Sequence, residues 1–249
     1  METQPTFEGF SYKFVSKVNP EKKFELKPLR KEDVEDATLQ LVACFGKGDP
    51  MTVYNERTFE NLYDWLNPRV HRAAEDNLGV VCTDQDTGKI AFLLTAHDYY
   101  NLIQKPIVFG PKMQKNQNVT ELFMTLCADD SLKPEKFGDV IQMCTLSCSD
   151  DYQGLGLGYD ITAWVVKNHP LISKAKAIKV TTTHPASKRI FEKLGWEVKN
   201  TLNVVEFKTK AGETPFADYA DVIERKQGLK DCKEVFYFVY ENRGEAKMQ

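Results

Sequence analysis

Val140-Ile141-Gln142-Met143-Cys144-Thr145-Leu146-Ser147-Cys148, followed shortly by Gln153-Gly154-Leu155-Gly156-Leu157-Gly158, is the stretch that decides the fold of this 249-residue chain. The first segment alternates Ile141, Met143, Thr145 and Ser147 against Gln142, Cys144, Leu146 and Cys148, and opens on β-branched residues, so it reads as a strand. After the glycines, Leu157, Ile161, Trp164 and Val165 recur at helical spacing. The glycines therefore sit where a strand turns into a helix. Backbone N–H groups without intrahelical partners point one way at such a turn, and the helix dipole favours a phosphate there. Glycine lets the backbone approach that ligand with no Cβ in between.

Spacing decides which phosphate ligand is meant. The dinucleotide fingerprint G-x-G-x-x-G requires glycine at Tyr159 or Ile161, and a P-loop requires Gly-Lys-Ser/Thr, yet no lysine occurs before Lys167. The pattern that fits is Gln/Arg-x-x-Gly-x-Gly/Ala, met by Gln153, Gly156 and Gly158. A glycine-rich connection with only a packing role is the alternative. Farther on, Ala177 to Thr183 is β-like and His184-Pro185 breaks it. Ser187 to Leu194 then reads as a helix stopped by Gly195, and Trp196 to Phe207 returns to strand character.

The hexapeptide resembles the pyrophosphate loop of the GNAT superfamily of N-acyltransferases, and Phe191-Glu192-Lys193-Leu194-Gly195-Trp196 resembles the Tyr-Glu-Lys-Leu-Gly-Phe element that closes the same core. The order of elements matches from about Phe24 to Tyr240. The resemblance implies a mixed α/β (α+β) domain with a mostly antiparallel central sheet, splayed at the cofactor site, and helices on both faces. It implies acetyl-CoA or another acyl-CoA as co-substrate, bound by Leu146, Ser147, Cys148, Gln153, Gly154, Leu155, Gly156, Leu157, Gly158, Tyr159 and Ser187.

Within the superfamily the chain is most similar to invertebrate arylalkylamine N-acyltransferases. Gly48-Asp49-Pro50-Met51 resembles their Asp-Glu-Pro-Met/Leu turn, and Thr183 and Ser187 stand where they carry serines. The resemblance implies Asp49 as general base, one methylene shorter than the family glutamate, and Ser187 as proton donor or cofactor contact, because Phe191 replaces a donating tyrosine. The residues alone leave both open: Asp49 can merely initiate its turn, and Ser187 can merely cap a helix. The implied reaction is direct attack of a small primary amine, arylalkyl or polyamine, on the thioester. A protein or peptide acceptor, and a silent acyl-CoA-binding module, are the alternatives. Cys148 is the less apt nucleophile, since no histidine near it in sequence could activate it.

Composition excludes more than it identifies. Net charge is −3 with dispersed basic residues, which argues against a nucleic-acid binder. No apolar run has membrane-spanning length and the first twenty residues lack a signal-peptide core, so the expectation is a cytoplasmic protein with no membrane partner. The histidines show no metal-ligand spacing, and the six cysteines read as free thiols, with Cys144 and Cys148 on one strand face about 13 Å apart. Oligomeric state leaves no trace in the sequence. Residues 1–23 read as a loose or docking arm and 24–249 as the acyltransferase domain. Its expected elements are a strand at Phe24 to Leu29, a helix at Lys31 to Phe45, a turn at Gly46 to Pro50, and a helix at Glu56 to Glu75 kinked near Pro68. A hairpin (Leu78 to Thr83, Lys89 to His97) follows. Next comes an irregular stretch at 98–138 with one helix (Val119 to Cys127), near the substrate side. A long loop (Lys208 to Asp231) precedes the last strand, Glu234 to Tyr240.

Overall fold

The computed structural model describes residues 10–113, 116–128 and 131–242. In chain order the elements are β1 (Tyr12–Val15), β2 (Lys23–Pro28), α1 (Val34–Gly48), α2 (Pro50–Tyr54), α3 (Phe59–Glu75), β3 (Gly79–Asp84), β4 (Ile90–Asp98), α4 (Tyr99–Gln104) and α5 (Gln117–Leu126). After them come β5 (Val140–Cys148), α6 (Leu157–Asn168), β6 (Ala177–Thr182), α7 (Pro185–Lys193), β7 (Glu197–Asn203), α8 (Tyr219–Gln227) and β8 (Glu234–Glu241). The strands form one sheet in the order β1-β2-β3-β4-β5-β6-β8-β7, and β5 with β6 is its parallel pair.

Helices cover both faces, as expected. Leu157, Ile161 and Val165 of α6 and Phe191 of α7 pack with Phe92, Leu94, Ile141, Met143 and Phe238. On the opposite face α1 and α3 bury Leu41, Leu62, Leu66 and Val70 against Val81 and Leu93. Farther along that face, α5 and α8 pack on β8 through Leu122, Leu126, Tyr219, Ile223, Val235 and Tyr237.

Of the two readings of the arm, its described part follows the docking one: β1 pairs with β2, and Tyr12 stacks on Trp164 of α6 at 5.1 Å; residues 1–9 lie outside the described residues. Three expectations are corrected. Gly46 to Gly48 belong to α1, so the turn shrinks to Asp49, which caps α2. The 98–138 stretch holds α4 as well as α5; the Asp98 carboxylate caps α4 through the Asn101 N–H (2.8 Å) and accepts the Gly138 N–H (2.6 Å), closing the stretch at its two ends. The loop before β8 contains α8, whose buried anchors Tyr219 and Ile223 are one turn apart and too few for a periodic pattern.

Pro68 stays inside α3. Proline cannot donate to the carbonyl four residues back, which here is that of Asp64. The Gly110 N–H takes that carbonyl at 3.0 Å, and the Lys112 N–H donates to the Asp64 carboxylate at 2.6 Å. A Cβ on Gly110 would stand 2.3 Å from Asp64 Cγ, so only glycine allows this approach. The helix defect thus anchors the loop before α5.

Candidate active site

β5 and β6 pair only from Val140–Ala177 to Met143–Val180, while β5 stays paired with β4 up to Phe92–Cys148. Beyond Met143 the two parallel strands part. The Ser149 N–H donates to Ala91 O on the β4 side, so strand alternation turns the N–H groups of Leu146 and Cys148 toward the gap and that of Ser147 toward β4. The Ser147 and Ser149 hydroxyls meet the Gln40 amide of α1 at 2.8 and 3.2 Å, which locks α1 to this strand. A register shift between Thr95 and Ala96 leaves Cys144 in a bulge. Beyond it Leu146 and Cys148 pack with the α6-side core, as Ile141 and Met143 do, so Cys144 and Cys148 do not share a face.

A cleft of about 1570 Å³ passes through this gap. That exceeds the roughly 300–1,000 Å³ that suit one small ligand, and its lining divides into two halves. On the α6–α7 side lie Leu146, Cys148, Gln153, Gly154, Gly156, Leu157, Gly158, Tyr159 and Ser187. Gly154 (φ +77°) and Gly156 (φ +79°) occupy the left-handed region that side chains disfavour. Gly156 caps α6 with no side-chain cap, leaving first-turn N–H groups to face outward. Gly158 also packs: a Cβ there would lie 2.9 Å from Ile190 Cδ1 of α7. The arm shapes the loop as well, since the buried Ser16 hydroxyl donates to Leu155 O (3.2 Å) and Lys17 pairs with Asp160 (2.7 Å).

Asp49 lies at the junction of the two halves. One carboxylate oxygen accepts the Thr52 N–H at 2.7 Å, and the other accepts the Thr183 hydroxyl at 2.5 Å. Those bonds join the turn after α1 to the end of β6, two segments the sequence singled out separately. Ser187 is not the cap of α7. His184 is, its Nδ1 accepting the Ala186 N–H at 3.0 Å. Burial lowers the His184 pKa, with Arg189 lowering it further and Asp49 opposing. Among the described residues the Ser187 hydroxyl has no bonding partner, and it lines the cleft. Phe191 is buried against Trp196 and Phe238 beside the cleft, and its ring has no proton to donate. Burial pushes the Cys144 and Cys148 thiols up to about 12, which keeps both protonated and poorly nucleophilic.

The other half is walled by α3, α4, the loop carrying Phe109, and α5. Of Phe59, Tyr63, Trp65 and Leu66 on α3 only Trp65 lines it: Phe59 is exposed, Tyr63 donates to Glu35, and Leu66 is core. Sequence reasoning missed Arg57, Arg69, His97, Tyr99 and Lys179 here. Arg69 stacks between Trp65 and Phe109, its Cζ 4.8 and 4.5 Å from the ring centroids. Lys179 lies over the Tyr99 ring at 3.1 Å. An arginine one turn from a tryptophan on a helix face was the available signal.

No family model matches the sequence, and no curated protein matches it. The fold is nonetheless known. The C-terminal condensation domain of Ebony, in complex with beta-alanyl-dopamine, superposes with a TM-score of 0.67 at 17% identity, over 88% of this chain and 99% of that one. Arylalkylamine N-acetyltransferase 2 from Aedes aegypti gives 0.64 at 14% identity, over 88% and 98%. The Drosophila melanogaster polyamine N-acetyltransferase that forms N-acetylagmatine gives 0.60 at 16%, over 88% and 99%. The chain has the fold of the GNAT acetyltransferases, with its central sheet open.

Proposed function

We propose that this protein transfers an acyl group from acyl-CoA to a small primary amine, within a ternary complex. One observation carries the reading: the parting of β5 from β6, which turns the Leu146 and Cys148 amides into a cleft with the glycine turn on one side and Asp49 on the other. The pyrophosphate rests on the amides from Gln153 to Tyr159, at the N-terminus of α6. The pantetheine arm runs along Leu146 to Cys148. There an outward amide N–H can donate to the thioester oxygen as negative charge develops on it in the tetrahedral intermediate.

The amine reaches the thioester from the opposite half. A free amine costs about 4 kcal/mol to generate at neutral pH from an ammonium of pKa about 10. The Thr183–Asp49 pair offers a path for that proton: the amine gives its proton to Thr183 Oγ while the hydroxyl proton moves to the Asp49 carboxylate. The new C–N bond forms, the C–S bond breaks, and the second proton released by the attacking nitrogen is passed through Ser187 or water to the departing thiolate, while the proton held by Asp49 returns to solvent. Walling by α4 and α5 supports a small acceptor over an extended peptide.

The test is thiol release from acetyl-CoA over a panel of arylalkylamines and polyamines, with coenzyme A binding measured in parallel. Binding without amine-dependent thiol release sinks the proposal and leaves a silent acyl-CoA-binding module.

A further inference from the structure

Arg69 is a cation in the wall of the substrate half. Its Nη1 donates to Trp65 O at 3.1 Å, and its planar head is held between the Trp65 and Phe109 rings. Among the described residues no carboxylate pairs with it. Arg57 shares the Trp65 ring, its Cζ 5.3 Å from the centroid, and donates to Asn61 at 3.0 Å within the field of Asp49, whereas Arg72 pairs with Asp76 at 2.9 Å. Burial holds the Arg69 guanidinium down to about 10, so it remains charged at neutral pH.

His97 is a second, independent sign. It lines the same cleft and is 1% exposed, and neither of its ring nitrogens has a hydrogen-bond partner among the described residues. Burial, with Arg69 and Arg72 nearby, holds it neutral, at about 3. A neutral imidazole carries one donor and one acceptor. A stacked guanidinium without a carboxylate and an unspent N–H on one wall describe a receptor for a carboxylate. Guanidinium groups match that planar anion with paired N–H donors, and unpaired buried charge is otherwise costly.

We propose that the acceptor is an amino-acid-type amine, a primary amine that also carries a carboxylate, with its carboxylate on Arg69 and His97 and its aromatic or apolar side chain beside Trp65 and Phe109. This rests on the acyl-transfer reading and sharpens its substrate class: it disfavours polyamines, whose second cation would face Arg69.

The experiment compares matched pairs, phenylalanine with phenethylamine and tryptophan with tryptamine, on protein saturated with coenzyme A by calorimetry and with acetyl-CoA by thiol release. The expected result is that each carboxylated member binds and reacts about 10- to 100-fold better, the worth of hydrogen bonds to a charged group. Arg69→Gln removes that ratio, and Arg69→Lys keeps part of it, with folding of each variant checked by melting. A ratio of one or less in the wild type, or a ratio that survives Arg69→Gln, overturns the proposal. So does a preference for succinyl-CoA over acetyl-CoA that depends on Arg69, because the carboxylate would then belong to the acyl group. Simple amines acetylated with no carboxylate preference leave acyl transfer standing and the anion site refuted. An Arg69-dependent calorimetric preference without any thiol release does the reverse.

Discussion

Removing the hydroxyl of Thr183 while keeping its shape, Thr183→Val, separates a proton path from a structural clip. The hydroxyl donates to Asp49 at 2.5 Å, and Asp49 keeps a second bond to the Thr52 N–H. If the pair carries the amine proton, Thr183→Val and Asp49→Asn each lose the base contribution, roughly 10²–10⁴-fold in rate. Asparagine caps a helix about as well as aspartate, so Asp49→Asn keeps the start of α2 and isolates the charge. The double variant should be no slower than the worse single, because one path cannot be broken twice. The deficits should shrink as pH rises toward the amine pKa, since solvent then supplies the free base and the cost of about 4 kcal/mol disappears. Initial rates of thiol release across neutral and alkaline pH are the assay, with coenzyme A affinity as the control. A clip alone would give a different picture: about 1.5–3 kcal/mol of lost stability with turnover per folded molecule intact. Wild-type rates from Thr183→Val, or a deficit that ignores pH, would refute the proton path.

Three further outcomes follow from the same geometry. Gly156→Val places a β-branched residue at φ +79° but its Cβ meets no atom nearer than 3.9 Å; the expectation is a strained loop costing about 1–2 kcal/mol and a loss of coenzyme A affinity in calorimetry, and unchanged affinity would remove the phosphate assignment. Ser187→Ala, which breaks no bond among the described residues, should slow thiolate departure with a smaller change in amine KM, and an unaltered rate would leave water as the donor. Burial holds His97 at about 3 and His169 at about 4, below the ordinary value near 6.5, so the folded state binds fewer protons than the unfolded one in acid. Their contribution is therefore whole above pH 6.5 and is lost as pH falls toward the folded values, by about 2 kcal/mol each at one and a half pH units below 6.5. Denaturant titrations of wild type and His97→Gln should diverge in slope over that window, and parallel slopes would contradict it.

The glycine-turn half of the cleft could be read from the sequence because its signals are local. β5 forms at the bounds its alternation gives, and the glycines fall on the turn into α6. The half walled by α3, α4 and α5 could not. Its wall is assembled from Trp65 and Arg69 of α3, His97 at the end of β4, Tyr99 of α4, Phe109 in a loop and Cys144 in a bulge. Each is ordinary in its own window: Trp65 belongs to a helix with a core face, and His97 to a buried strand. Only the sheet register and the loop anchor make them neighbours.

Pro68 and Gly110 show why such a site escapes a window-by-window reading. Alone, the proline predicts a kink in α3 and the glycine predicts a turn. Together they make one contact: proline leaves the Asp64 carbonyl without a partner, and glycine brings a backbone N–H to it where a Cβ would collide. That contact fixes the loop carrying Phe109 against α3, and Phe109 in turn forms one side of the sandwich around Arg69. The cation in that wall therefore owes its position to a helix defect on its own helix, four residues before the proline, and to a glycine far along the chain. Neither residue bears any chemistry, and both are needed before the guanidinium can.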